Sequence, residues 1–271
     1  IGYVFIFFIL LLEGIYFTAY NLQNAYPLFG TTLSAVTFIF LILVPVLTMK
    51  TIAEERKQKT DQLLLTAPVS VSEIVLGKFL AVATVYAIPV LIICLYPMIM
   101  GKYGTVSYAM AYTAVLGFAL LGFAQIAVGV FWSSVTENPV IAAVVTFIVL
   151  FVCYMITGIG SLIPDSSMAS LACYMLLVLL AAVWIYHMIR NLWIAAVIGI
   201  AGEAALAITY VVKSTLFEGS IQKFLAVFDI TSHFDNFTNG ILDLQGVVYF
   251  LSVIIIFLVL TVQTITKRRW N

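Results

Sequence analysis

TLSAVTFIFLILVPVLTM (32–49), KTIAEERKQKTDQLLLTAPVSVSEIVLGK (50–78) and FLAVATVYAIPVLIICLYPMIM (79–100) follow one another without a break. The first and third stretches contain no charged residue, whereas the middle one holds nine of the chain's 24 charges. A helix needs about 20 consecutive apolar residues to cross the hydrocarbon core of a bilayer. The pattern therefore reads as two membrane spans joined by a charged aqueous segment. An open chain in lipid has to satisfy its backbone polar groups internally, which makes each span a helix. The alternating ten-residue segments of a membrane barrel are absent.

The same reading extends along the chain. Eight apolar runs qualify as spans, roughly 1–17, 32–49, 79–100, 109–132, 140–159, 168–186, 192–212 and 247–265. The expected fold is an all-α polytopic membrane protein, a single transmembrane domain over 1–271 with about eight transmembrane helices. If the pair 168–186 and 192–212 fails to span, six remain with the same ends. Composition agrees: 64% of residues are hydrophobic and 9% charged, against about 45–50% and about 25% in soluble domains. So little charge cannot cover a globule of this size, which excludes a disordered chain and a cytosolic enzyme. Cys94, Cys153 and Cys173 all lie in apolar runs and read as buried thiols, not as a disulfide or metal framework. A formal net charge of zero argues against nucleic acid as a partner. The first run has neither a basic start nor a small-residue cleavage site, so it is not a signal peptide, and a segment preceding Ile1 is expected.

Basic residues set the orientation. With Lys267, Arg268 and Arg269 in the cytoplasm, eight spans place Lys50, Arg56, Lys57, Lys59, Lys78 and Arg190 on the same side, leaving Lys102, Lys213 and Lys223 outside. The positive-inside rule favours this arrangement, with both ends cytoplasmic. The outer segment 213–246 is rich in phenylalanine. Within it Ile221, Phe224, Leu225 and Phe228 recur at helical spacing, which predicts a short re-entrant or interfacial amphipathic helix.

The inner segment 50–78 is the most informative. Pro45 is expected to kink the second span near its inner end. The helix continues into charged 52–59, then Leu63, Leu64 and Leu65 stand together, then Pro68. Ser70 followed three residues later by Glu73 is a capping box, so a new helix starts there and becomes the third span. Three adjacent leucines between charged flanks need a cover, which points to a docking element.

This stretch resembles the signature of the permeases of type-2 ABC exporters, above all the gliding-motility (GldF-like) branch. The matching residues are Pro45, Thr48, Met49, Ala53, Glu54, Glu55, Arg56, Leu63, Leu64, Leu65, Thr66, Pro68, Val69, Ser70, Glu73, Val75, Leu76, Gly77 and Lys78. Two further blocks support it: SSVTENPVIAA (133–143), and HFDNFTNGILDLQGVVYFLSV (233–253) followed by KRRW (267–270). The chain departs from the pattern at Lys59, where the family usually has glycine, and at Pro139, which replaces a more usual polar residue. A hairpin at about 168–212 is an addition to the six-helix core.

The resemblance implies a permease that pairs with a second copy or a paralogue. Each permease docks a cytosolic ABC ATPase through the segment after the second span, and an external-domain auxiliary membrane protein belongs to the gliding-type assemblies. Glu54, Glu55, Arg56, Thr60, Asp61, Leu63, Leu64, Leu65, Thr66, Pro68, Val69 and Ser70 are then the ATPase-coupling residues. Thr136, Glu137 and Asn138 form a second inner loop. The chain has no GxxxxGK[ST] phosphate loop. ATP and Mg are therefore expected in the partner ATPase, with no cofactor in this chain. A multi-pass protein of the bacterial plasma membrane is implied.

Three polar residues inside spans remain. A carboxylate at mid-membrane costs about 2.5–3.5 kcal/mol on insertion scales. Glu203 shares a helical stripe with Ala196, Gly199 and Ala207, and small residues let helices approach closely. It is therefore expected to face protein. Glu13 lies toward the outer end of the first span and is expected near the interface. Gln125 shares a stripe with Gly122 and Gly129 and reads as interhelical packing. Enzyme readings fail. Ser161 in GIGS and His187 lie at opposite membrane faces, HExxH is absent, and no span contains aspartate. Two other readings compete with a permease: a proton-coupled secondary transporter working through Glu13 and Glu203, and a non-transporting ABC-type membrane scaffold or signalling complex.

Overall fold

The computed structural model describes residues 2–61, 69–189 and 191–269. Among these, six helices are long and apolar enough to cross a membrane, or up to seven if one bent pair counts as a single span. The chain divides into two compact units. One comprises Ile1–Val152 with Ile230–Asn271, the other Cys153–Asp229.

In the first unit, α1 (Gly2–Tyr16) runs into a π-helical turn (Phe17–Gln23), and α2 is Phe29–Thr48. The short α3 (Ala53–Lys57) follows, then α4 (Val71–Ile93) and α5 (Tyr96–Met100). Next come α6 (Tyr108–Val135) and α7 (Pro139–Ser161), within which the boundary of the first unit falls. The unit closes with a 3-10 turn (Ser232–Phe234), α11 (Asp235–Thr238) and α12 (Leu244–Arg269).

The axial element is α6. Every residue from Ala124 to Val130 is buried, as expected for a helix that is apolar all round. It packs against α2, α4 and α12. Phe40, Tyr86 and Phe118 join α2, α4 and α6 in a fully buried aromatic cluster, with the Phe40 and Phe118 rings 4.8 Å apart. The Tyr86 hydroxyl donates to the Phe118 carbonyl at 2.7 Å, which meets its hydrogen-bonding need in a dry core. Gly122 admits the Tyr86 ring: a Cβ there would lie 2.3 Å from it.

Beside the N-terminal end of α2 this unit is closed by the short α11. Phe234 and Phe237 are buried, and the Phe237 side chain occupies the space beside Gly117. Asn236 donates to Asp243 at 2.8 Å, and Asp243 accepts from the Gln245 amide at 2.9 Å at the start of α12. The Asn236 hydrogen bond, with the amides of Gln245 and Gly246, holds the half-buried Asp243 carboxyl below the usual carboxylate range.

In the second unit, α8 (Ser167–Ile189) and α9 (Leu192–Val212) pair along their length. A 3-10 turn (Ser214–Phe217) and α10 (Ser220–Ala226) follow. Ala196–Val212 turns through 116° into Ser214–Ala226, and the apolar part of α8 found is Ser167–Val183. Among the described residues six helices, or seven with the bent pair, pass as spans, and the hairpin helices α8 and α9 stand beside this six-helix core over 23 and 21 residues. The expected short helix in 213–246 is α10, with Ile221 buried and Phe224 and Phe228 exposed.

Candidate functional site: the assembly around α3

The segment after α2 is tied to the inner end of α6 by a serine. Ser133 Oγ accepts the amides of Ile52 and Ala53, both at 3.1 Å, and donates to the Met49 carbonyl at 3.2 Å. The first amides of a helix have no partner within it. Ser133 supplies one from 80 residues away, and it is fully buried. Below this contact Gly129 allows α6 to reach α2: a Cβ there would stand 2.2 Å from Thr48 Oγ1.

Arg56 extends the connection. Its side chain is buried, donates to the Ser134 carbonyl, and reaches Glu137 Oε1 at 3.1 Å. Glu137 also meets Arg268 of α12 at 3.6 Å. On the other side Lys78 of α4 pairs with Glu55 and donates to the Thr51 carbonyl at 3.0 Å. One short helix, α3, is therefore linked to α4, α6, α12 and the loop before α7. A small cleft of about 30 Å³ among Ile52, Arg56, Lys78, Ser134 and Arg268 is the space left inside this knot.

Local chemistry shapes both ends. At the C-terminus of α3 the Lys59 amide bonds to the Arg56 carbonyl at 3.1 Å and the Thr60 amide to the Glu55 carbonyl at 2.9 Å. These are the two bonds of a Schellman motif, whose residue after the cap takes the left-handed conformation. That residue is Lys59, at φ +58°. The position at which the resembling sequences carry glycine is thus a backbone turn that favours glycine, and lysine holds it here under strain. Lys59→Gly is expected to raise thermal stability by about 1 kcal/mol, readable as an upward shift of the melting temperature in detergent.

The expected capping box is present. The Glu73 amide bonds to Ser70 Oγ at 3.3 Å, and the Ser70 amide to Glu73 Oε2 at 3.0 Å, at the start of α4. In the second inner loop Asn138 caps α7, accepting the Val140 amide at 3.0 Å. Pro139 then stands at the first helical position, where its missing N–H costs nothing. Thr136 Oγ1 donates to the Asn138 carbonyl at 3.4 Å.

Of the residues expected at this site, Glu55, Arg56 and Glu137 come together in the knot. Glu54 instead faces Lys50 at 3.7 Å and Gln58 at 2.9 Å, and Thr60 bonds to the Glu55 carbonyl at 3.2 Å. Asp61 borders the small cleft, and Val69 is exposed. Leu63, Leu64, Leu65, Thr66 and Pro68 lie outside the described residues. Sequence reading missed Ser133 and Arg268 as parts of the site, and Lys78 as the ion-pair partner of Glu55. The serine doublet at 133–134 was the only signal for the first.

The intramembrane polar residues do not form one site. Glu13 is fully buried in the first unit, and neither carboxylate oxygen has a hydrogen-bond partner. It continues the buried stripe of Phe5 and Ile9 along α1. Gln125 is buried beside the packing glycines of α6, its Oε1 without a donor. Ala196, Gly199, Glu203 and Ala207 line one cleft between α8 and α9, with Gly199 buried and Ala207 exposed.

Neither a curated protein nor a solved structure matches the chain. The family described as ABC-2 family transporter protein matches residues 12–266. That span runs from within the first long apolar helix to near the end of the last, and the chain belongs to the ABC-2 transporter family as a multi-pass membrane permease.

Proposed function

We propose that the chain is the transmembrane permease subunit of an ATP-driven ABC exporter of the bacterial plasma membrane. It couples ATP hydrolysis by a separate cytosolic ATPase to substrate movement. The observation that carries this reading is the knot around α3. A surface segment that only docked a partner would need no buried link to the bundle, yet α3 is bonded to the axial helix through Ser133 and Arg56. Displacement of α3 therefore has to move α6 or break buried hydrogen bonds, which is what transmission from an ATPase requires. ATP and Mg belong to the partner. The permease works as a pair, with a second copy or a paralogue, and the motif resemblance assigns it to the gliding-motility branch, where an external-domain auxiliary protein joins the assembly.

The test uses the leucines between the charged flanks. Leu64→Asp with Leu65→Asp is expected to abolish co-purification of the ATPase while membrane insertion is unchanged. Undiminished recovery of the complex would refute the docking assignment. The mass of the wild-type complex in detergent is expected to contain two permeases, and one permease with one ATPase would contradict the pairing.

A further inference from the structure

We propose that the cleft between α8 and α9 binds a compact lipophilic amine that enters from the bilayer. The cleft measures about 610 Å³, within the range of small-molecule sites. Its walls include Met175, Leu179, Ala182, Val183 and Ile200, and Glu203 is the one charged residue among them. Both Glu203 oxygens are shielded from solvent and lack a hydrogen-bond partner. A carboxylate so placed is unsatisfied, and among the described residues no lysine or arginine lines the cleft to pair with it.

The cleft has a built shape. At Gly199 a Cβ would stand 3.1 Å from Ala182, and at Gly202 2.8 Å from Val178. These contacts bring the helices together on one side of Glu203, and the small side chains of Ala204 and Ala207 leave room on the other. Leu179, Val183 and Ile200 are each more than half exposed, so the opening is apolar and suits a ligand already dissolved in lipid. Glu203 stands near the middle of α9 (Leu192–Val212), in an apolar surround that favours a compact ligand. Charge complementarity selects the occupant. An ammonium N–H group satisfies the carboxylate, and a compact hydrocarbon body fills the apolar walls.

The site is testable on the permease alone, without an ATPase, so its failure is separable from failure of the exporter reading. Tritiated 1-aminoadamantane is titrated against the full chain in lipid nanodiscs. Saturable binding is expected. Adamantan-1-ol, of the same shape without the charge, is expected to compete roughly tenfold or more weakly. Glu203→Gln, which preserves shape, is expected to lose a similar factor, and Ala207→Trp, which fills the cleft, is expected to remove binding. Monodisperse elution of both variants establishes that they fold. Absence of saturable binding, equal binding by Glu203→Gln, or equal competition by the alcohol would overturn the proposal. So would a disulfide between two copies carrying Ile200→Cys, which would show that a second chain covers the cleft.

Discussion

Ser133→Ala is expected to uncouple the inner surface from the bundle at a cost of about 2–4 kcal/mol. The estimate follows from what the hydroxyl satisfies. It accepts the amides of Ile52 and Ala53 and donates to the Met49 carbonyl, all in a fully buried position. Each buried backbone group left without a partner costs about 1–3 kcal/mol, and alanine leaves no room for a replacing water beyond the space of one hydroxyl. The neighbouring ion pair provides a comparison. Glu137→Gln removes a carboxylate whose side chain is 70% exposed, so solvent screening limits its effect to about 0–1 kcal/mol. Thermal unfolding in detergent is expected to rank Ser133→Ala well below Glu137→Gln. If α3 transmits the ATPase stroke through Ser133, the alanine variant is also expected to keep the ATPase bound while substrate movement falls. Transport and stability both at wild-type levels in Ser133→Ala would remove the serine from the coupling route.

The knot shows where sequence reading ends. The Ser70 capping box was legible because both partners lie within four residues, and the structure contains it as expected. The Schellman turn at Lys59 was half legible: the departure from glycine marked the position, while the left-handed backbone that explains it needed the structure. The bond between Ser133 and α3 was not legible, since it closes a loop of some 80 residues and depends on how α2 and α6 meet. The six core spans followed from apolar length. The hairpin was legible as two apolar helices, while the sharp bend from Ala196–Val212 into Ser214–Ala226 was not, because hydropathy carries no direction. The stripe of small residues around Glu203 was legible because it repeats at helical spacing, and it lines one cleft. The burial of Glu13 was not legible, because the composition of one span does not say which of its faces meets the bundle.

The outer closure yields the second large effect. A Cβ on Gly30 would fall 2.2 Å from the Thr238 carbonyl oxygen and 2.7 Å from its Cα. These atoms are backbone, so no rotamer change can relieve the contact. Either α11 lifts away or α2 shifts, and α2 is held by its contacts with α1 and α6. Lifting α11 withdraws Phe237 and Phe234 from beside Gly117, where both are buried. Overpacking of this kind costs about 1–3 kcal/mol and more where the backbone must move. Alanine at an unobstructed helical position does the opposite, gaining about 1 kcal/mol over glycine. Gly77 in α4 is such a position, with no atom within 4 Å of a Cβ. Gly30→Ala is therefore expected to lower the melting temperature while Gly77→Ala raises or preserves it. A thiol reagent supplied from the outer side is expected to reach a cysteine placed at Phe237 far faster in the Gly30→Ala background than in its absence. Equal labelling rates in the two backgrounds, with an unchanged melting temperature, would show that α11 does not depend on the notch at Gly30 and would remove the close backbone contact as the basis of the closure.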